Sequence, residues 1–175
     1  DVIIKLARAF RAGLNRAGLA ATGKHFPGHG AVAADSHHDL PVDRRSIEEI
    51  ERTELVPFKA LIDDGIESLM MAHVRYTAID QTPASLSRKW IAGRLRRSMG
   101  FKNALFCDDL SMNGAAVVGS MSERAKLALA AGCDMLPVCN DRPAAIALID
   151  ELKDLKPSPA RSRRLEKVYR TEGPR

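Results

Sequence analysis

Over residues 2–16 the apolar side chains of Ile3, Leu6, Ala7, Phe10 and Leu14 recur at helical spacing, and Gly18 follows. That pattern predicts an amphipathic helix with a stop. Residues 19–24 read as a strand that delivers Lys24 and His25 at its far end, followed by a polar loop to about Arg45. Ser46 and Glu49 have capping-box spacing, so a helix is predicted from there towards Asp64, kinked or subdivided at Pro57. A strand over 66–72 ends in His73, and a helix over 87–98 has Ser85 and Ser87 as candidate caps. After Gly100 a strand over 104–107 ends in Asp108, and a helix over 122–131 stops at Gly132. A fourth strand over 134–139 and a last helix over 142–153 complete the pattern.

Four strand–helix units in alternation predict an α/β fold with a parallel sheet. In such sheets chemistry collects at the carboxyl ends of the strands. Here those ends carry Lys24 and His25, His73, Asp108 and Asp109, and Asn140. Polar candidates falling on one rim support the parallel arrangement.

Composition narrows the class without naming a function. Apolar residues at 45% and charged residues at 28% of 175 suit a folded domain or part of a larger one, not a disordered chain. No apolar run approaches the roughly 20 residues that span a bilayer. The start, Asp1-Val2-Ile3-Ile4-Lys5, lacks an initiator Met and a signal-peptide layout, so the chain is expected to be cut from a longer one. Cys107, Cys133 and Cys139 have no metal-type spacing and read as buried reduced thiols, which favours the cytoplasm. The net charge of +5 belongs to residues 156–175, with seven Lys/Arg and two Glu. Residues 1–155 therefore read as one unit and 156–175 as a basic helical tail, solvated rather than bound to nucleic acid or membrane, since no aromatic stacking set accompanies it.

Two clusters carry candidate chemistry. Between Lys24 and His38 lie four histidines, with the rigid turn Phe26-Pro27-Gly28-His29-Gly30 among them. Asp35 stands two residues before His37, and a carboxylate beside an imidazole can hold its tautomer and raise its pKa. An Asx-type turn with exposed His37 and His38 is the alternative. The second cluster, Phe106-Cys107-Asp108-Asp109-Leu110-Ser111-Met112, ends an apolar run in adjacent carboxylates. One of the pair can serve as nucleophile or metal ligand while the other caps the following turn; Asp109 as a helix cap beside a solvated Asp108 is equally open. His29 and His73 lack a third and fourth ligand at metal spacing, so neither a metal nor a cofactor is expected.

These segments, with Met71-Ala72-His73-Val74 and Ala131-Gly132-Cys133-Asp134-Met135, resemble in order and spacing the bacterial β-N-acetylhexosaminidases of glycoside hydrolase family 3. The resemblance runs from near residue 1 to about residue 155. It implies a (β/α)8 barrel of the TIM type, of which only about the last four βα units are present, and retaining hydrolysis through a covalent glycosyl-enzyme. Asp108 matches the family nucleophile, His37 its general acid/base and Asp35 the partner carboxylate. Lys24 and His25 match binders of N-acetylglucosamine, and His73 and Met112 are further pocket candidates. The implied substrate is a peptidoglycan fragment, N-acetylglucosamine linked β-1,4 to 1,6-anhydro-N-acetylmuramic acid, with or without its peptide. The implied setting is cytoplasmic wall recycling by a protein that is monomeric at full length, with no nucleic-acid or membrane partner.

Two departures stand out. Cys107 occupies the position of a family serine, and the aspartate and two arginines that the earlier half of the barrel contributes have no counterpart here. Two rival readings remain beside hydrolysis: a β-N-acetylglucosaminide phosphorylase, and an inactive sugar-binding fragment.

Overall fold

In the computed structural model of the chain, the described residues are 1–32, 36, 39–156 and 158–169. Helix α1 (Val2–Arg16) is amphipathic, as its spacing predicts, yet buries none of its residues: Phe10 is 73% exposed, and Val2, Ile3 and Leu6 are exposed with it. Strand β1 (Thr22–Phe26) follows. It starts later than the sequence suggests and runs past Lys24 to Phe26. The register of β1 on β3 shifts between Gly23 and Phe26; Phe26 is buried edge-on to Phe58 and Trp90, while His25 is half-buried.

The helix predicted over 46–64 is two. Ser46 caps α2 (Ile47–Arg52) in a full capping box with Glu49, and α3 (Leu55–Asp63) starts afresh. The break falls at Thr53 and Glu54 rather than at Pro57. A proline ring clashes with the carbonyl four residues earlier, here that of Thr53, so the helix must be interrupted there and Pro57 sits harmlessly in the first turn of α3.

Strand β3 (Ser68–Met71) is the centre of the sheet, and β5 (Ala104–Phe106) lies on its far side. The order β1-β3-β5 is parallel throughout, with Thr22 opposite Ser68 and Ser68 opposite Ala104. Gly23 allows the close packing of β1 on β3, because a Cβ there would stand 2.8 Å from Leu69 Cδ2. A second, two-stranded parallel pair, β2 (Val42–Asp43) with β4 (Arg75–Tyr76), was not visible in the pattern. The expected helix over 87–98 is present as a π-helix, Lys89–Ser98, with the Ser87 hydroxyl accepting from Trp90 N–H at 3.2 Å.

The expected fourth strand over 134–139 is corrected: it contributes a single parallel bridge, Met135 to Phe106. Pro137 has no N–H to give, and the Cys139 N–H goes to the Asp109 carboxylate at 3.1 Å instead of a neighbouring strand. Helix α4 (Asn113–Ala116) follows the Asp108 loop. Beyond it, α5 (Met121–Ala131) starts with a Ser120–Glu123 capping box, and α6 (Arg142–Glu151) is capped by Asp141.

Helix α7 (Pro159–Tyr169) falls in the basic tail, but it is docked rather than merely solvated. Arg164 makes a two-pronged contact with Asp134 (2.9 and 2.6 Å), whose side chain is fully buried and also meets Arg96 at 3.0 Å.

The result is an incompletely closed (β/α) barrel. Among the described residues no strand pairs with the outer side of β1. An apolar groove of about 280 Å³ opens beside it, between Phe10 and Leu14 of α1 and Phe58 and Leu61 of α3. No helix of the described residues is long and apolar enough to cross a membrane.

Candidate active site

The carboxyl ends of the three strands converge on an open cleft of about 670 Å³. Lys24 and His25 line it from β1, Met70 from β3, and Asp108, Asp109 and Met112 from the segment after β5. His29, Gly30, Ser36, Pro137, Cys139 and Asn140 complete the wall. Six of the residues expected at the site or its rim from sequence thus meet in one cavity: Lys24, His25, Asp108, Asp109, Met112 and Asn140. Asp35 and His37 lie outside the described residues. Ser36, which the sequence sets between them, is buried and lines the cleft.

The adjacent carboxylates have different surroundings. Asp109 Oδ1 accepts from Ser111 N–H (2.9 Å), the Ser111 hydroxyl (2.8 Å) and Cys139 N–H (3.1 Å). Burial alone would raise its pKa, but these donors hold it below the ordinary carboxylate value. It ties the Asp108 loop to the 136–140 segment. Among the described residues, the Asp108 carboxylate accepts from Asp109 N–H at 3.0 Å, and its Oδ2 stands 4.0 Å from His25 Nε2. This carboxylate lines the cleft. Burial pushes the His25 imidazole below its usual pKa, against the opposing pull of Asp108, so near neutrality it is an uncharged hydrogen-bonding group.

His73 does not line the cleft. It is wholly buried behind Asp109, with Nε2 2.9 Å from the Asp109 carbonyl oxygen and Nδ1 2.6 Å from the Ser85 hydroxyl. A carbonyl only accepts, so Nε2 carries the hydrogen. Burial lowers the pKa of the ring, Nδ1 is then a bare acceptor, and Ser85 donates to it. His73 therefore supports the turn that carries Asp108 and has no free nitrogen for a metal. Among the described residues no group of three or more His, Cys, Asp or Glu could hold one.

The thiols divide. Cys107 and Cys133 are buried and both approach the Ser85 carbonyl, at 3.8 and 3.6 Å. Cys139 is exposed in the cleft, which corrects the expectation that it is buried; the missing strand over 134–139 is what leaves it open.

Residues 1–170 match the family model of the glycosyl hydrolase family 3 N-terminal domain, and the chain belongs to that family. A protein named beta-hexosaminidase from Tolumonas auensis is 53% identical over 163 residues, which is 93% of this chain and 49% of that protein. The crystal structure of NagZ from Neisseria gonorrhoeae in complex with N-trifluoroacetyl-D-glucosamine superposes with a TM-score of 0.84 at 40% identity, over 97% of this chain and 49% of that one. A family 3 β-N-acetylglucosaminidase from Paenibacillus sp. gives 0.85 at 33% identity, over 95% and 33%. The chain spans about half the length of the curated relatives it matches. The family and the barrel type expected from the motifs are both met.

Sequence reasoning missed Ser36 and Gly114, which make a backbone contact: Gly114 N–H donates to the Ser36 carbonyl at 3.0 Å. No side-chain pattern announces such a pair.

Proposed function

We propose that this chain carries the reacting groups of a retaining β-N-acetylglucosaminidase that removes terminal N-acetylglucosamine from peptidoglycan fragments, N-acetylglucosamine-1,6-anhydro-N-acetylmuramic acid with or without peptide, in cytoplasmic wall recycling. One observation carries the reading: the Asp108 carboxylate faces a cleft that is also lined by Ser36, the residue between Asp35 and His37. The names of the relatives, and the glucosamine derivative in the Neisseria structure, support the sugar.

An Asp108 oxygen attacks the anomeric carbon as His37 gives its proton to the glycosidic oxygen, and the leaving sugar departs with that proton. Water then enters. His37 removes one of its protons, the water oxygen bonds to the anomeric carbon, and the Asp108 carboxylate is released with the configuration retained. Asp35 steadies the imidazolium formed in the second step. Most retaining glycosidases use two carboxyl groups about 5–5.5 Å apart, whose mutual repulsion helps keep one protonated. A carboxylate-paired imidazole meets the same need without a second acid at that position. Lys24 and His25 offer hydrogen-bond donors to the sugar hydroxyls from the β1 side.

Aryl β-N-acetylglucosaminides with good and poor leaving groups test the reading. Asp108→Ala should abolish turnover of both. His37→Ala should cost about 10²–10⁴-fold on the poor leaving group, the usual worth of a general acid, and far less on one that needs no proton. Equal losses on both substrates would remove His37 from the acid role, and sugar 1-phosphate formed on adding phosphate would make the enzyme a phosphorylase. The outer side of β1, with which no strand pairs among the described residues, favours a second reading, a sugar-binding fragment without activity. Saturable N-acetylglucosamine binding without turnover on the same sample would establish it.

A further inference from the structure

The contact between Ser36 and Gly114 joins two parts of the reaction that come from different strands. Gly114 is the second residue of α4, and α4 continues directly from the Asp108 loop, where Met112 N–H donates to the Asp109 carbonyl at 3.1 Å. The loop after β1 touches this unit at Ser36, whose carbonyl accepts from Gly114 N–H at 3.0 Å, while the Ser36 hydroxyl lies 3.3 Å from Nε2 of His29 in its own loop.

The fit at Gly114 is tight. A Cβ there would stand 3.0 Å from His73 Cβ, 3.1 Å from the Ser36 oxygen and 3.3 Å from the His73 oxygen. His73 cannot give way, since it is wholly buried with both ring nitrogens bonded. Ser36 is the partner that would have to move.

We propose that Gly114 is a positioning residue for proton transfer: its bare α-carbon lets the first turn of α4 close on the Ser36 carbonyl, which fixes the middle of the Asp35-Ser36-His37 segment to the loop that carries Asp108. The proposal rests on the acid/base reading of His37 given above. It assigns no contact with the sugar to Gly114. A misplacement of about 1 Å in a catalytic group can cost on the order of 10²-fold in rate. The loss should fall on the step that needs the proton donor.

The test is Gly114→Ala, read beside His37→Ala with the same pair of aryl substrates. The expected result is a loss of roughly ten- to a hundredfold on the poor leaving group and little change on the activated one, because only the former depends on the placed acid. Equal losses on both substrates would mean that Gly114 serves only the packing of α4, and no loss on either would overturn the proposal outright. If His37→Ala fails to show the split, the acid/base reading falls; if it shows the split and Gly114→Ala does not, only the positioning role falls.

Amide hydrogen exchange gives a readout independent of turnover. In the wild-type chain the Gly114 amide should be strongly protected, and an unprotected amide would refute the anchor even if Gly114→Ala does not fold. Where the variant folds, the amides of residues 36–38 should exchange faster while that of Met112 is unchanged. Unaltered exchange at 36–38 would count against the proposal.

Discussion

Replacing Ser85 by Ala should destabilise the chain through the imidazole it leaves behind rather than through the hydroxyl it removes. The Ser85 hydroxyl donates to His73 Nδ1 at 2.6 Å, and neither residue is exposed. His73 Nε2 is committed to the Asp109 carbonyl at 2.9 Å, so the ring cannot turn to hide a bare Nδ1 without losing that bond. Stranding one buried acceptor costs about 1–3 kcal/mol. For a chain of this size each kcal/mol shifts Tm by about 2–4 °C, so a cost of about 2 kcal/mol lowers Tm by roughly 4–8 °C. The assay is urea unfolding of wild type, Ser85→Ala, His73→Phe and the double variant, with midpoints compared at constant m. In the His73→Phe background the same Ser85→Ala step removes a hydroxyl that has already lost its acceptor, so its cost should fall towards zero or change sign. A cycle that is additive within about 0.5 kcal/mol would refute the assigned tautomer and the bond with it.

Stability should also fall in acid. Asp43 and Glu54 beside Arg45, Glu67 beside Arg11, and Asp109 beneath its N–H donors are all buried enough to be raised, yet their partners hold them below the ordinary carboxylate value. A depressed carboxyl contributes stability above its unfolded pKa, about 4, and that stability is lost as pH drops below this towards the folded value, so Tm should fall as the pH is taken below about 4. The lowered values of His25 and His73, caused by burial, should start a shallower loss below about pH 6.5; a flat Tm from pH 7 to pH 3 would contradict both assignments. Asp134→Ala should cost about 3–5 kcal/mol by leaving Arg96 and Arg164 around an empty place, read in the same denaturant assay; a loss under about 1 kcal/mol would deny the docking of α7. A thiol reagent should modify Cys139 alone in the native chain and all three cysteines in denaturant, so fast native reaction of a second thiol would contradict the burial of Cys107 and Cys133.

Much of the site was legible because its chemistry sits on side chains at strand ends. Lys24, His25, Asp108 and Asp109 announce themselves by following apolar runs, and the sheet brings them to one cleft. What the sequence hid was settled by backbone groups. The 134–139 segment has a strand's apolar content, but Pro137 and the diverted Cys139 N–H leave it one bridge. Strands β2 and β4 are two residues long, too short for any period to show. His73 looked like a pocket residue because nothing local reveals Ser85 and the Asp109 carbonyl waiting on either side of its ring. The division of α2 from α3 was readable in kind but misplaced, because a proline disrupts the turn before it and not its own position.

The bare border of the sheet has a consequence for ligand capture. β1 is at once the seam where further strands would join and the strand that presents Lys24 and His25. Pairing along that seam would stiffen the strand that carries the two proposed sugar-binding residues. If Lys24 and His25 bind the sugar as proposed, any coupling between strand pairing at the seam and carbohydrate affinity is reciprocal, each changing the other by the same free energy.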